Sequence, residues 1–237
     1  MEAFIFRIRR QEGPEAAPFW QEFAYRGDGS ATVASALDEL NSLDSPRDAE
    51  GRPAAPIAWE CGCWQRRCGA CAMLVNGLPR LACSVFIGEA AGRRRAIKLE
   101  PLSKFPVARD LAVDRSAIFE SLKGMGLWLE GDAYQPRWGR GLLYHSARCL
   151  LCGCCLEACP NFRLGAAGFA GAAAAVAANL FLEQCDGAEN RATMAKRYQS
   201  AFYGGCGKSM SCLRICPIGL PIDDLLARSN AIAVWGS

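Results

Sequence analysis

Alternating apolar and polar positions open the chain. Phe4, Phe6 and Ile8 fall on one side of an extended segment, with Ile5, Arg7 and Arg9 on the other, the two-residue period of a strand. Phe23 and Tyr25 repeat that spacing, so a second strand is expected to pair with the first across the Pro- and Gly-bearing segment 13–18. Over residues 32–40 the period lengthens. Val33, Leu37 and Leu40 then share one helical face, with Ser30 as candidate N-cap. Met73-Leu74-Val75 followed by Asn76-Gly77 and Leu78 reads as a tight hairpin, because Asn-Gly suits the type I′ turn. Ile97 and Leu99 begin a last strand before Pro101.

After about Pro106 the pattern becomes helical. Asp114 is a candidate cap for a helix through Ile118, Phe119, Leu122 and Leu127, and further helices are expected near 141–158, 172–184, 188–203 and 219–231. The boundary between a β domain (1–105) and a helical one (106–237) is placed at Phe105–Pro106. Residues 164–182 are long enough to imitate a membrane span. They are mostly Ala and Gly, which add little apolar area, so a closely packed soluble helix is the better reading.

Composition changes the picture at two places. The chain has 237 residues, 51% hydrophobic and 22% charged, with a net charge of +3, a balance that excludes wholesale disorder and gives no sign of nucleic-acid binding. Against that ordinary background stand 14 cysteines and one histidine. A single histidine excludes metal sites needing two within this chain. MEAFIFRIRRQ at the start lacks the apolar core of a secretory signal, so disulfides are not expected and the thiols suit metal ligation.

The spacing of those cysteines carries the chemistry. Cys63-x4-Cys68-x2-Cys71-x11-Cys83 has the plant-type [2Fe–2S] ferredoxin arrangement: one loop wraps three thiolates around a small cluster, and the Asn76-Gly77 hairpin returns the fourth. Gly69 leaves room there and frees backbone N–H groups for the sulfurs. A zinc site of four cysteines usually shows two separate pairs, whereas here both short gaps share Cys68; a zinc-bound structural module stays as the rival of another class. Cys149-x2-Cys152-x2-Cys155-x3-Cys159-Pro160 is the bacterial ferredoxin run, whose last cysteine serves a second cluster. The matching run is Cys206-x5-Cys212-x3-Cys216-Pro217, with Ser209 where a ligand is missing.

Exchange of the last cysteines gives Cys149, Cys152, Cys155 and Cys216 to a four-iron cluster. Cys159, Cys206 and Cys212 then suit a [3Fe–4S] cluster, unless a Ser209 alkoxide holds a fourth iron. Cys61, Cys154 and Cys185 are left over and read as packed thiols, with Cys154 a substitute ligand if the loop shifts.

Other motifs dissolve on inspection. Gly207-Lys208-Ser209 resembles the end of a P-loop, but Phe202 stands where that pattern needs Gly. No G-x-G-x-x-G follows a strand. Arg93, Arg94 and Arg95 read as a solvated basic turn, and His145, four residues before Cys149, as a hydrogen-bonding or packing residue. Three cluster sites without a nucleotide fold or an acid–base pair amount to an electron relay, with no substrate-site signature or catalytic residue of its own.

The chain resembles the iron–sulfur subunit of succinate dehydrogenase / fumarate reductase (respiratory complex II) over nearly its whole length. The likeness rests on Cys68-Gly-Ala-Cys71-Ala-Met, Asn76-Gly77, Leu81-Ala-Cys83, Leu99-Glu-Pro-Leu-Ser-Lys-Phe-Pro106, Arg109-Asp-Leu-Ala-Val-Asp114 and both Cys-Pro runs. It implies an α+β fold, an N-terminal plant-ferredoxin-like β-grasp domain followed by an α-helical ferredoxin domain, and clusters in the order [2Fe–2S], [4Fe–4S], [3Fe–4S]. It also implies a flavoprotein subunit with FAD at the first cluster, a membrane anchor subunit at the third, quinone beyond it, and a peripheral place on the cytoplasmic face of the inner membrane.

Family members that build a quinone pocket carry Trp shortly after the Cys-Pro and His after the first cysteine of the last run. Asn161-Phe162-Arg163-Leu164 and Gly207 stand there instead. The chain is in this respect similar to members paired with a heme b-bearing cytochrome b anchor that uses menaquinone, with Pro160, Arg163 and Lys208 as candidates to face that anchor. A nearer alternative is the relay subunit of another flavin oxidoreductase, of the thiol-linked fumarate reductase or glycolate oxidase type.

Overall fold

The computed structural model describes residues 3–43, 46–128, 140–165, 168–185 and 188–235. Strand β1 (Phe4–Arg10) pairs antiparallel with β2 (Phe19–Tyr25), setting Phe6 opposite Phe23 as the alternation predicts. On its other side β1 runs parallel to β5 (Ala96–Glu100), which pairs antiparallel with β3 (Ala72–Val75); β3 and β4 (Leu78–Leu81) close the sheet in the order β2-β1-β5-β3-β4. Asn76 at φ +51° and Gly77 at φ +80° make the expected type I′ turn. Helix α1 (Val33–Asn41) buries Val33, Ala34, Ala36, Leu37 and Leu40. Its cap is Thr32, whose Oγ1 accepts from the Ser35 N–H at 3.1 Å. Ser30, the expected cap, is held two residues too early by its own bond to Asp28 Oδ2 at 2.6 Å.

A short helix α2 (Ile87–Ala91) leads to the arginine turn, where Arg93 and Arg94 are exposed as expected and Arg95 stacks over the Phe4 ring at 3.9 Å. Where the sequence predicted helix, β6 (Val107–Arg109) and β7 (Ala112–Val113) form a hairpin. Asp110 at φ +46° turns it, and the Asp110 carboxylate accepts the N–H groups of Gln11 (2.9 Å) and Ala58 (2.8 Å). These bonds tie the hairpin to the sheet. The chain therefore divides into Met1–Asp114 and Arg115–Ser237, later than residue 105.

The second unit is helical. Helix α3 (Ser116–Gly124) has Arg115, not Asp114, at its N-cap position, with no side-chain capping bond; it buries Ile118 and leaves Phe119 exposed. The stretch expected at 141–158 is two helices, α4 (Arg140–Ala147) and α5 (Cys154–Ala158), because Leu151 (φ +49°) and Gly153 (φ +87°) turn the chain between them. Next come α6 (Gly171–Gln184), α7 (Ala188–Ala201), the unanticipated α8 (Ser211–Ile215) and α9 (Ile222–Asn230).

The Ala-rich α6 is the core of this unit, packed with Met194, Tyr198, Phe202, Leu225 and Leu226. Its buried Asn179 accepts from Ser146 Oγ on α4 at 2.9 Å and donates to Ser229 Oγ on α9 at 3.0 Å. Among the described residues no helix is long and apolar enough to cross a membrane.

Candidate functional site

Three groups of thiols are assembled, each by local backbone geometry. In the first, Trp64 (φ +58°), Arg66 (φ +59°) and Gly69 (φ +76°) curl the loop between Cys63 and Cys71. The curl aims N–H groups at sulfur: those of Gln65 (3.4 Å), Arg67 (3.1 Å) and Cys68 (3.3 Å) reach Cys63 Sγ, and that of Arg66 reaches Cys83 Sγ at 3.3 Å. The Gln65 and Arg67 N–H groups, in that order, bring the Cys63 thiol down to about 7. Cys83 arrives on the β3–β4 hairpin, and the Ala82 N–H bonds to the Cys71 carbonyl at 3.0 Å. Burial pushes the Cys71 thiol far up, with Cys83 beside it. Cys61 is half-buried and pushed up by burial, close enough to feel Cys83, Cys68 and Cys63, so five thiols meet at this site.

In the second group Cys149, Cys152, Cys155 and Cys216 line one small pocket, together with Leu150, Ala172, Val176 and Leu220 among others. The last-run cysteine thus meets the first three of the earlier run. Cys216 Sγ accepts the Leu220 N–H at 3.4 Å. Burial pushes Cys149 up to about 11 and Cys155 well above its ordinary value. Cys154 is buried and turns its thiol to Cys152; that bond pushes Cys154 far up and draws Cys152 down to about 7.

Gly171 (φ +74°) opens α6 close to α5, where a Cβ would lie 2.3 Å from Leu156 Cδ2. His145 Nδ1 is buried without a hydrogen-bond partner among the described residues, and Cys185 packs in the core at the end of α6.

In the third group Cys212, raised by burial, feels Cys206 and Cys159. The Asn161 side chain holds this corner together, donating to the Gly205 carbonyl at 2.7 Å and leaving a Cβ on Gly207 only 3.0 Å from Asn161 Nδ2. Ser209 Oγ lies 3.2 Å from Ser211 Oγ, and its carbonyl accepts from Arg214 at 3.0 Å. Pro160, Arg163 and Lys208 are exposed, Lys208 Nζ lying 5.8 Å over the Tyr203 ring.

Thiol sets fed by backbone N–H groups are the donor chemistry that iron–sulfur clusters take. Among the described residues no group of His, Cys, Asp or Glu is arranged to hold a single metal ion. N–H groups aimed at sulfur are what the sequence leads one to expect near Gly69; the structure supplies them from residues 65–68, including Arg66 and Arg67, whose place between cluster cysteines is visible in the sequence.

Comparison with known proteins agrees. The family model of a 2Fe-2S iron-sulfur cluster binding domain matches residues 5–120. The succinate dehydrogenase iron-sulfur subunit of Bacillus subtilis is 34% identical over 236 residues, which cover 95% of this chain and 90% of that one. A fumarate reductase iron-sulfur subunit of Escherichia coli is 30% identical over 172 residues, 69% of each chain. A chain of the Mycobacterium smegmatis Sdh1 complex in the apo form superposes with a TM-score of 0.74 at 22% identity, covering 98% of this chain and 96% of that one; at that identity it shows the α+β fold alone. These relatives favour neither the zinc module nor the relay of another flavin oxidoreductase.

Proposed function

Because this chain belongs to the family of iron–sulfur subunits of succinate dehydrogenase and fumarate reductase, we propose that it relays single electrons between a flavoprotein subunit and a membrane anchor. Cys63, Cys68, Cys71 and Cys83 hold the [2Fe–2S] cluster; Cys149, Cys152, Cys155 and Cys216 hold the [4Fe–4S] cluster; Cys159, Cys206 and Cys212 hold the [3Fe–4S] cluster. Bound there, the clusters supply one-electron carriers. The chain's own residues set where each carrier sits and how readily it takes an electron. N–H groups of residues 65–68 compensate thiolate charge at the first site, and Ala172, Ala173 and Val176 of α6 give the second an apolar wall.

The β domain meets the flavoprotein, which brings FAD and the dicarboxylate site. The helical domain meets the anchor through Pro160, Arg163 and Lys208, and the complex sits peripherally on the cytoplasmic face of the inner membrane. An anchor with heme b and menaquinone is the partner best suited to the third site. The Asn161 side chain fills the space beside Gly207, so a residue the size of histidine at 207 would have to displace it.

The observation that carries the reading is the cavity shared by Cys216 with Cys149, Cys152 and Cys155. Electron paramagnetic resonance (EPR) of the complex tests it. The three-iron cluster gives a signal when oxidised and the other two when reduced. Cys216→Ser is expected to remove the four-iron signal and spare the three-iron one; the opposite pattern overturns the exchange of cysteines between runs. Reduction of heme on adding succinate checks the anchor.

A further inference from the structure

The loop carrying three of the first site's thiols is cationic. Trp64, Gln65, Arg66 and Arg67 are all exposed, and residues 61–71 contain no acidic side chain. Some cations of the same unit find carboxylates: Arg52 bridges Asp48 at 2.8 Å and Glu50 at 2.9 Å, and Lys98 reaches Glu100 at 2.8 Å. The guanidiniums of Arg66 and Arg67 pair with no carboxylate among the described residues. Their backbones, in contrast, touch the site directly, through the N–H bonds to Cys83 Sγ (3.3 Å) and Cys63 Sγ (3.1 Å).

Arg66 also sits at φ +59°, where glycine or asparagine rests at lower cost. The turn alone would favour one of those residues, so an arginine there points to a use for its charge. That use follows from electrostatics. Reduction makes a four-thiolate cluster site more negative by one unit, and a fixed cation nearby stabilises the more negative state more.

Resting on the reading that Cys63, Cys68, Cys71 and Cys83 hold a [2Fe–2S] cluster, we infer that the Arg66 and Arg67 guanidiniums raise the reduction potential of that site. One electron leaves the partner's reduced flavin and enters the cluster, and the two arginines make that transfer more favourable. They ligate no iron and act through the field at the sulfurs, as positioning residues.

The test is a potentiometric titration of the intact complex, followed by EPR, for Arg66→Asn, Arg67→Gln, the double variant, and the lysine variant at each position. The backbone N–H bonds survive these changes, so the charge is isolated. Each neutral variant should lower the ratio of reduced to oxidised cluster at fixed poise about threefold, roughly 28 mV for one electron. The double variant should lower it further and the lysine variants should restore it. The shift should shrink at high salt, because both side chains are exposed.

Iron content and the EPR signal are read first on the same samples. If Arg66→Asn sheds its cluster, Arg67→Gln and the lysine variants carry the comparison. A potential that stays put in variants retaining the cluster overturns the inference, as does weakened binding to the flavoprotein without a shift, which would make the loop a docking surface only. Absence of a [2Fe–2S] signal from the unmodified complex would instead overturn the assignment of the four cysteines.

Discussion

The guanidinium of Arg10 and the carboxylate of Asp110 form an ion pair at 3.0 Å with both side chains almost wholly buried. Arg10 also donates to Gln21 Oε1 at 2.7 Å and to the carbonyls of Ala55 (3.2 Å) and Pro56 (3.1 Å), so the pair knots the first strand, the segment before Cys61 and the β6–β7 hairpin. Breaking one partner leaves a buried charge alone. Asp110→Asn keeps the left-handed turn that residue 110 needs and is expected to cost about 3–5 kcal/mol. Replacing both residues, Arg10→Met with Asp110→Leu, should cost less. Urea unfolding of the full chain compares the two; equal losses would mean the pairing itself contributes nothing.

Asn179 has the same character in the other unit. It is fully buried, and its amide satisfies Ser146 and Ser229 at once. Asn179→Ala strands both hydroxyls and is expected to cost about 1–3 kcal/mol. Adding Ser146→Ala and Ser229→Ala should recover part of that loss, which a urea series on the four proteins reads directly.

The N–H groups around Cys63 give the iron-free chain a pH dependence. The Cys63 thiol titrates at about 7 when folded against an ordinary 9.0, so the unfolded chain holds more protons between those values. This group's contribution is full above pH 9 and lost as pH falls through 7. Alkylation of the iron-free chain, mapped by mass spectrometry, should reach half its maximal rate at Cys63 near pH 7 and leave Cys71 the slower thiol, because burial pushes Cys71 the other way.

Ser209 occupies the gap in the last run, and its hydroxyl engages Ser211. Ser209→Cys supplies a fourth thiol and should convert the three-iron site to a four-iron one. Its potential should drop, and the oxidised-state EPR signal should disappear. Turnover with quinone should fall while succinate still reduces an artificial acceptor at the flavin. An unchanged oxidised-state signal would remove Ser209 from the ligand template.

What could be read from the sequence follows the range of the interactions. The Asn76-Gly77 turn is a local pattern, and it is found where the sequence puts it. The β6–β7 hairpin was not legible, because the Asp110 turn is stabilised by Gln11, 99 positions away, and by the buried Arg10. Ser30 and Thr32 are both hydroxyl residues at the start of α1, and Asp28 decides between them by taking Ser30. The break between α4 and α5 hides behind Leu150 and Leu151, which continue a helical pattern while Leu151 turns left-handed. Residues 164–182 showed a helix but not its neighbours, since a run of alanines presents no distinct face.

That uniformity has a further effect. A smooth alanine rod can turn about its axis or slide by a residue while keeping much the same contacts, for each step swings it only about 100°. Asn179 removes that freedom, because its amide meets Ser146 and Ser229 in one angular phase alone. Ala172, Ala173 and Val176 ride on the same rod and form part of the wall around Cys149, Cys152, Cys155 and Cys216. The bore of an all-apolar, all-sulfur chamber is thus indexed by a polar contact one to two turns along the helix.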